Sequence, residues 1–285
     1  MWKIYVSKKK NIEFISNVIN QINKDSIIKD FYYFDKLSST QDFAFKIIKR
    51  KKKIHPSVIL CNIQTMGKGR KGASWSSLKG GIWMSLVVET SIKVENLFIF
   101  VMLSAICICE TIEKETILRP EIKWPNDIFI NGKKIAGILL DVETEIEGKN
   151  KLILGLGINT NNDLNSTIHE IQKNNSSYYK VTTLKKELND SEISNIDFLS
   201  RMLEHLNASL LKIDTNYFFY DNIFKNYKER VMKSKNSLHY SFKNDDNIPF
   251  CGDIIDMARD GSLLVKDDRQ KIILKISSSN NVEVI

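Results

Sequence analysis

Residues 121–161 admit few folds. The run Glu121-Ile122-Lys123-Trp124-Pro125-Asn126-Asp127-Ile128-Phe129-Ile130 is β-like on both sides of a proline, which cannot donate to a sheet ladder and so marks a break. Asn131-Gly132 follows, a two-residue hairpin signal with positive φ cheap at both positions. Residues 133–141 are the return strand, Glu147-Gly148-Lys149-Asn150 turns again, and residues 151–161 form a third strand with Gly155 and Gly157 at alternate positions. Links this short join antiparallel neighbours, so this half reads as an antiparallel meander. Glycines within a strand mark close approach of a ligand or of other backbone. Simple strand packing would also account for Gly155 and Gly157, and a bend in the core for Trp124-Pro125.

The second dense stretch is Gln64-Thr65-Met66-Gly67-Lys68-Gly69-Arg70-Lys71-Gly72-Ala73-Ser74-Trp75. Glycines let backbone turn and approach a ligand closely. Successive free N–H groups make a concavity for anions, and the cations add charge. The spacing also spells G-x-G-x-x-G, but a dinucleotide fingerprint must open a helix directly after its strand. Here a strand-like run (58–63) precedes, and another β-like run follows residues 74–81, so that reading fails. A kinase glycine loop fails too, because no H-R-D or D-F-G follows. What remains is either a phosphate- or carboxylate-binding loop or a basic surface loop.

Charge favours an anionic ligand or an acidic protein partner: Lys+Arg number 42 against Asp+Glu 34, a net +8. The lysines are scattered and no basic helix carries interleaved aromatics, so nucleic acid is not expected. Cys61, Cys107, Cys109 and Cys251 show neither zinc spacing nor a disulfide framework, which points to a reducing compartment. The four histidines show no ligand spacing. The most apolar segment, 97–112, is short for a membrane span and contains Ser104; a buried helix over 94–117 is expected instead.

The remaining elements follow from periodicity. A short strand (2–6) and a helix through Ile12, Ile15, Val18, Ile19 and Ile22 occupy an N-terminal extension, residues 1–30, too small for a three-helix DNA-binding unit. Phe31-Tyr32-Tyr33-Phe34 is an aromatic strand. Ser39 or Thr40 can cap the helix that follows, or turn a hydroxyl to a ligand. Residues 58–65 and 81–89 are strands, 161–179 a long polar loop, 183–188 a short helix, and 196–210 and 218–231 amphipathic helices. From residue 234 short alternating runs with an Asp260-Gly261 turn describe a small β unit over 234–285, a barrel. Residues 31–233 form the main domain.

Four separated segments resemble one family in order and spacing: Ser39-Thr40 before a helix; Gln64 with Gly67-Lys68-Gly69-Arg70-Lys71-Gly72 and Trp75; Lys123-Trp124-Pro125-Asn126-Asp127 with Lys134-Ile135-Ala136-Gly137-Ile138-Leu139; and Gly155-Leu156-Gly157-Ile158-Asn159. From about residue 31 onward the chain resembles a biotin protein ligase. The resemblance implies an α+β fold, with a mixed, largely antiparallel sheet flanked by helices in a class II synthetase-like catalytic domain, and an SH3-like barrel at the carboxyl end. It implies a cytoplasmic enzyme that makes biotinyl-5'-AMP from biotin and ATP with Mg²⁺. The biotin then passes to a lysine of a biotin carboxyl carrier domain.

By the resemblance, Ser39, Thr40 and Gln64 bond the ureido ring, Gly67 and the Lys68 backbone flank the biotin tail, and Gly137 and Gly155 line its pocket. Arg70 and Lys134 bind carboxylate and α-phosphate and carry the catalysis. Trp75 and Asn159 take the adenine side; Asn126 and Asp127 sit by the phosphates, with Asp127 on the metal. No partner in nucleic acid or membrane is implied, and a homodimer is admitted. Two departures stand out: Lys68 replaces the usual Arg, and Gln41 the common Asn after Ser-Thr. A lipoate ligase would share the fold, but the arginine-led glycine triplet followed by His-Asp is missing. A biotin-sensing protein would not need Arg70 and Lys134.

Overall fold

The computed structural model describes residues 3–7, 12–22, 26–50, 54–144, 148–173, 180–213, 216–234, 240–243, 249–269, 271–277 and 282–284. Strand β1 (Lys3–Val6) and helix α1 (Ile12–Gln21) come first, then β2 (Asp30–Phe34), α2 (Thr40–Arg50), β3 (Ser57–Cys61), β4 (Ile82–Thr90) and α3 (Phe98–Glu115). The meander follows as β5 (Glu121–Lys123), β6 (Asp127–Ile130), β7 (Lys133–Glu143) and β8 (Asn150–Ile158). These eight strands form one mixed sheet in the order β1-β2-β3-β4-β8-β7-β6-β5. Only the β1–β2 and β2–β3 pairs are parallel. Asn131 (φ 50°) and Gly132 (φ 70°) make the β6–β7 turn, as that dipeptide predicts.

One sheet face is covered by α3, which is buried along most of its length; Phe100, Leu103, Cys107 and Ile108 are all inside. The expected 94–117 helix is thus split: a single 3-10 turn, Val94–Asn96, precedes α3. This segment is long and apolar enough to cross a membrane, but 78% of it is buried in the protein core. Ile15, Val18 and Ile19 of α1 join the same core, so the N-terminal strand and helix are integral to the sheet and its packing. The other face carries a smaller cluster in which Ala44, Ile47 and Ile48 of α2 meet Ile59, Val87 and Ile153. Because α2 packs there, its N-terminus is fixed beside the middle of the sheet.

One expectation is corrected. Residues 161–179 are not simply a loop, because α4 (Leu164–Lys173) lies within them. Its start is capped by Asp163, whose Oδ2 accepts the Ser166 N–H at 2.7 Å, and Leu164, Thr167, Ile168 and Ile171 recur at helical spacing. The surrounding asparagines and serines hide that stripe. Helices α5 (Leu184–Glu187), α6 (Asn195–Ile213) and α7 (Tyr217–Ser234) follow.

The small SH3-like unit at the carboxyl end is built from two three-stranded antiparallel sheets. One is β10 (Pro249–Phe250), β9 (Tyr240–Lys243) and β14 (Val282–Val284); the other is β11 (Gly252–Met257), β12 (Leu263–Asp267) and β13 (Ile273–Ile276). The readings at Trp2, Glu147, residues 174–179 and Leu238-His239 fall outside the described residues.

Candidate active site

A cavity of about 1380 Å³ opens on the α2 side of the sheet. Its floor is where β4, β8 and β7 lie side by side: Ser85 pairs with Gly155, Gly155 with Leu139, and Gly157 with Gly137. All the residues singled out by the resemblance line this one cavity: Ser39, Thr40, Gln64, Gly67, Lys68, Arg70, Trp75, Asn126, Asp127, Lys134, Gly137, Gly155 and Asn159.

At one end stands the α2 N-terminus. Ser39 caps it, Oγ accepting the Asp42 N–H at 3.4 Å. Gln64 Oε1 accepts the Thr40 N–H at 2.8 Å, and Gln64 Nε2 donates to Ser77 Oγ at 2.8 Å. Ser85, Gln41 and Asp141 continue the network. None of these last residues, nor Ser77, was assigned a role by the sequence. Gln41 was visible only as a departure, and the others become neighbours only through sheet register.

The glycine loop folds back over the floor. Gly67 O accepts the Trp75 N–H at 2.9 Å and Gly69 N–H donates to Ala73 O at 2.7 Å. A Cβ on Gly67 would sit 2.3 Å from Trp75 O, so no other residue closes this turn without displacing it. Lys71 and Gly72 turn through positive φ (57° and 76°). The loop thereby lays the Trp75 indole on the strand glycines. A Cβ at Gly157 would lie 2.5 Å from Trp75 Nε1, and one at Gly137 2.9 Å from Cζ3. Lys68, which lines the cavity, pairs through its ammonium with Asp42.

The far end is cationic. Arg70 Nη1 donates to Asn126 Oδ1 at 2.8 Å, and Asn126 Nδ2 to Ile138 O at 2.7 Å. Burial pulls the Arg70 pKa down, while Asp127 and Tyr227 oppose that pull, and guanidinium stays charged. Lys134 Nζ pairs with Asp127 Oδ2 at 2.8 Å and lies 5.1 Å from the Trp75 ring centre. Lys133, its neighbour, points away to Glu187 at 2.9 Å. The Trp124–Pro125 peptide is cis, and its turn is held from behind: Tyr227 Oη donates to Pro125 O at 2.6 Å, and Trp124 Nε1 to Gly261 O at 2.7 Å. Neither Tyr227 nor Gly261 announces this role locally, since each lies a hundred or more residues away in the chain.

Among the described residues, three buried side-chain polar atoms have no hydrogen-bond partner: Trp75 Nε1, Asp127 Oδ1 and Asn162 Oδ1. Trp75 and Asp127 line the cavity beside Lys134; Asn162 lies behind Asn159, its Nδ2 donating to Asn159 Oδ1 at 3.1 Å. An unmet buried group costs about 1–3 kcal/mol, so their clustering marks where a polar ligand would complete the structure. No group of three or more His, Cys, Asp or Glu that could hold a metal occurs among the described residues.

Residues 33–159 match the biotin/lipoate A/B protein ligase family. The chain is 36% identical over 141 residues to the bifunctional ligase/repressor BirA of Bacillus subtilis, covering 49% of this chain and 43% of that one. It is 32% identical over 104 residues to the biotin--[acetyl-CoA-carboxylase] ligase of Paracoccus denitrificans, covering 35% and 43%. The matches thus span less than half the length of these relatives. The biotin protein ligase from Aquifex aeolicus in complex with biotin and ATP shares the fold, with a TM-score of 0.69 at 20% identity, covering 90% of this chain and 99% of that one.

Proposed function

We propose, from the premise that residues 33–159 form a domain of the biotin/lipoate A/B protein ligase family, that this chain is an ATP-dependent biotin protein ligase. It joins biotin to ATP, giving biotinyl-5'-AMP and pyrophosphate, and passes the biotinyl group to a lysine of a biotin carboxyl carrier domain. The observation that carries the reading is the single cavity that runs from neutral hydrogen-bonding groups, across a glycine floor, to Arg70 and Lys134. A carboxylic acid with a polar head fits that gradient.

In the first half-reaction a biotin carboxylate oxygen attacks the α-phosphorus and the bond to the bridging oxygen breaks, with the electron pair leaving on pyrophosphate. Two anions must be brought together. Arg70 and Lys134 offset that repulsion and stabilise the charge that grows on the α-phosphoryl oxygens, in a site already shaped for it. Gly67 and the Lys68 backbone lie along the acid's tail, and Gly137 and Gly155 leave room for it. Trp75 and Asn159 face the adenine side, where Trp75 Nε1 offers a free donor.

Mg²⁺ enters with the nucleotide in this reading. Asp127 Oδ1, buried and without a partner, suits a hard cation that takes one protein carboxylate and otherwise phosphate and water oxygens, with Asn126 beside it. Bound there, the ion would neutralise charge on the leaving pyrophosphate.

In the second half-reaction the carrier lysine amine attacks the acyl carbon, forms an amide, and releases AMP. The folded glycine loop and Trp75 cover the anhydride against water. The chemistry belongs to residues 31–233, with 1–30 as an extension and 234–285 as the β unit behind the Trp124 turn; the cytoplasm is the working compartment. Incubation with biotin, MgATP and a carrier domain should add one biotinyl group to one acceptor lysine, read by intact-mass and peptide spectrometry. An unmodified carrier, with protein shown to be folded, would overturn the reading.

A further inference from the structure

The large sheet has two edges, and they are finished differently. At one edge β5 is covered: Ile122 and Lys123 are buried, and Ser234 of α7 donates to the Ile122 carbonyl at 2.7 Å. At the other edge β1 pairs with β2, and no described strand pairs with its outer side. Among the described strands of this sheet, β1 alone has no buried residue. Ile4 is 39% and Tyr5 42% exposed. Edges are usually blunted by charge, proline or a bulge; β1 has only Lys3, at its start, and its ladder with β2 runs without a register shift.

The register fixes which groups of β1 are free. Lys3 N–H donates to Lys29 O at 2.9 Å and Ser7 N–H to Tyr33 O at 3.1 Å, so residues 3, 5 and 7 turn their backbone toward β2. Backbone groups alternate sides along a strand, so the N–H and C=O of Ile4 and Val6 point outward. Side chains alternate between faces too. Ile4 and Val6 stand beside Phe31 and Tyr33 on the α1 face, and Tyr5 stacks on Tyr32, centroids 4.5 Å apart, on the α2 face.

The two outward residues flank Tyr5 symmetrically. A two-fold axis through Tyr5 therefore sets Ile4 opposite Val6 of a second copy, and Val6 opposite its Ile4, and each pair exchanges both backbone bonds. Tyr5 meets its own equivalent in the closely spaced pair between them, and Lys3 meets Ser7, so no like charges oppose. An axis through Ile4 or Val6 would leave half of the strand's outward groups unpaired.

We propose that the outer edge of β1 is an interface between two copies of this chain, joined antiparallel about Tyr5 into one continuous sheet. The contact is short, so the dimer belongs to the weak, concentration-dependent class. No β1 residue lines the cavity, so this inference does not depend on the ligase reading.

The test is sedimentation equilibrium of the full chain at rising concentration, comparing wild type, Val6→Pro and Tyr5→Lys. Wild type should pass from monomer to dimer. Proline at position 6 removes an outward N–H that β2 does not use, and edge strands tolerate it. Lysine at position 5 sets two like charges against each other across the axis. Each variant should weaken association about tenfold or more, with its fold retained by circular dichroism; if one does not fold, the other decides. Oxidation in a Cys251→Ser background reads the register, since the other three cysteines are buried. Tyr5→Cys should cross-link two chains and Ile4→Cys should not, because Ile4 faces Val6 of the second copy. Wild type that stays monomeric up to about 1 mM, association unchanged in both variants, or cross-linking through residue 4 and not residue 5, overturns the proposal.

Discussion

The two ends of the cavity are built on opposite plans. At the α2 end the side chains bond one another: Thr40 with Gln64, Gln64 with Ser77, and Ser85 with Gln41 and Gln41 with Asp141. At the other end Trp75 Nε1 and Asp127 Oδ1 are buried with no partner, in the part of the cavity that holds Arg70 and Lys134. A finished network holds one shape and so discriminates ligands by fit. An unfinished one, set beside two cations, is open to completion by an anionic polar ligand. In the proposed reading, recognition of the acid belongs to the α2 end and the chemistry to the other.

That contrast can be broken most severely at the cations. Arg70→Ala should lower kcat/KM for pyrophosphate exchange by about 10²–10³-fold, the usual loss when a charge-stabilising donor is removed. Biotin binding measured by calorimetry without ATP should weaken far less. A comparable loss of biotin affinity would erase the division between the two ends.

The glycine floor comes next. Gly157→Ala places a methyl 2.5 Å from Trp75 Nε1, so the indole must lift. Overpacking of this kind costs about 1–3 kcal/mol, and the ATP KM should rise roughly tenfold while the biotin KM moves less. An ATP KM unchanged in this variant would mean that Trp75 has no part in the nucleotide end.

The smallest effect sharpens the difference between two adjacent lysines. Lys134 faces the cavity and Asp127, whereas Lys133 is held outside it by Glu187. Burial alone would raise the Glu187 carboxyl pKa, but hydrogen bonds from Thr182, Lys133 and Asn131 bring it below the ordinary value. Its stabilisation is therefore present above the unfolded-state pKa and lost as pH falls through the lower folded-state value. Glu187→Gln should cost about 1–2 kcal/mol at pH 7 by denaturant titration, and the gap to wild type should close in acid. Exchange activity at pH 7 should be retained.

Local chemistry made much of this legible. Asn131-Gly132 announces its turn, and Gly155 and Gly157 announce close approach, because each backbone demand has few residues that meet it. The cations proposed for catalysis were legible only as part of a family pattern; from charge alone Lys133 and Lys134 are equivalent, and only the register of β6 and β7 separates them. Helix α4 was hidden because its apolar stripe is thin and lies among residues that favour turns. Asp141 and Ser85 carry no local signal, and Gln41 shows only as a departure from the family pattern. Their meeting depends on the pairing of β4, β8 and β7 and on where α2 packs, which is tertiary information.

The central claim is that this cavity activates biotin with ATP. Biotin-dependent exchange between labelled pyrophosphate and ATP tests it most directly, with lipoate as the control acid. Exchange supported by biotin and not by lipoate is the predicted result. Exchange with neither acid, from folded protein, would contradict the account.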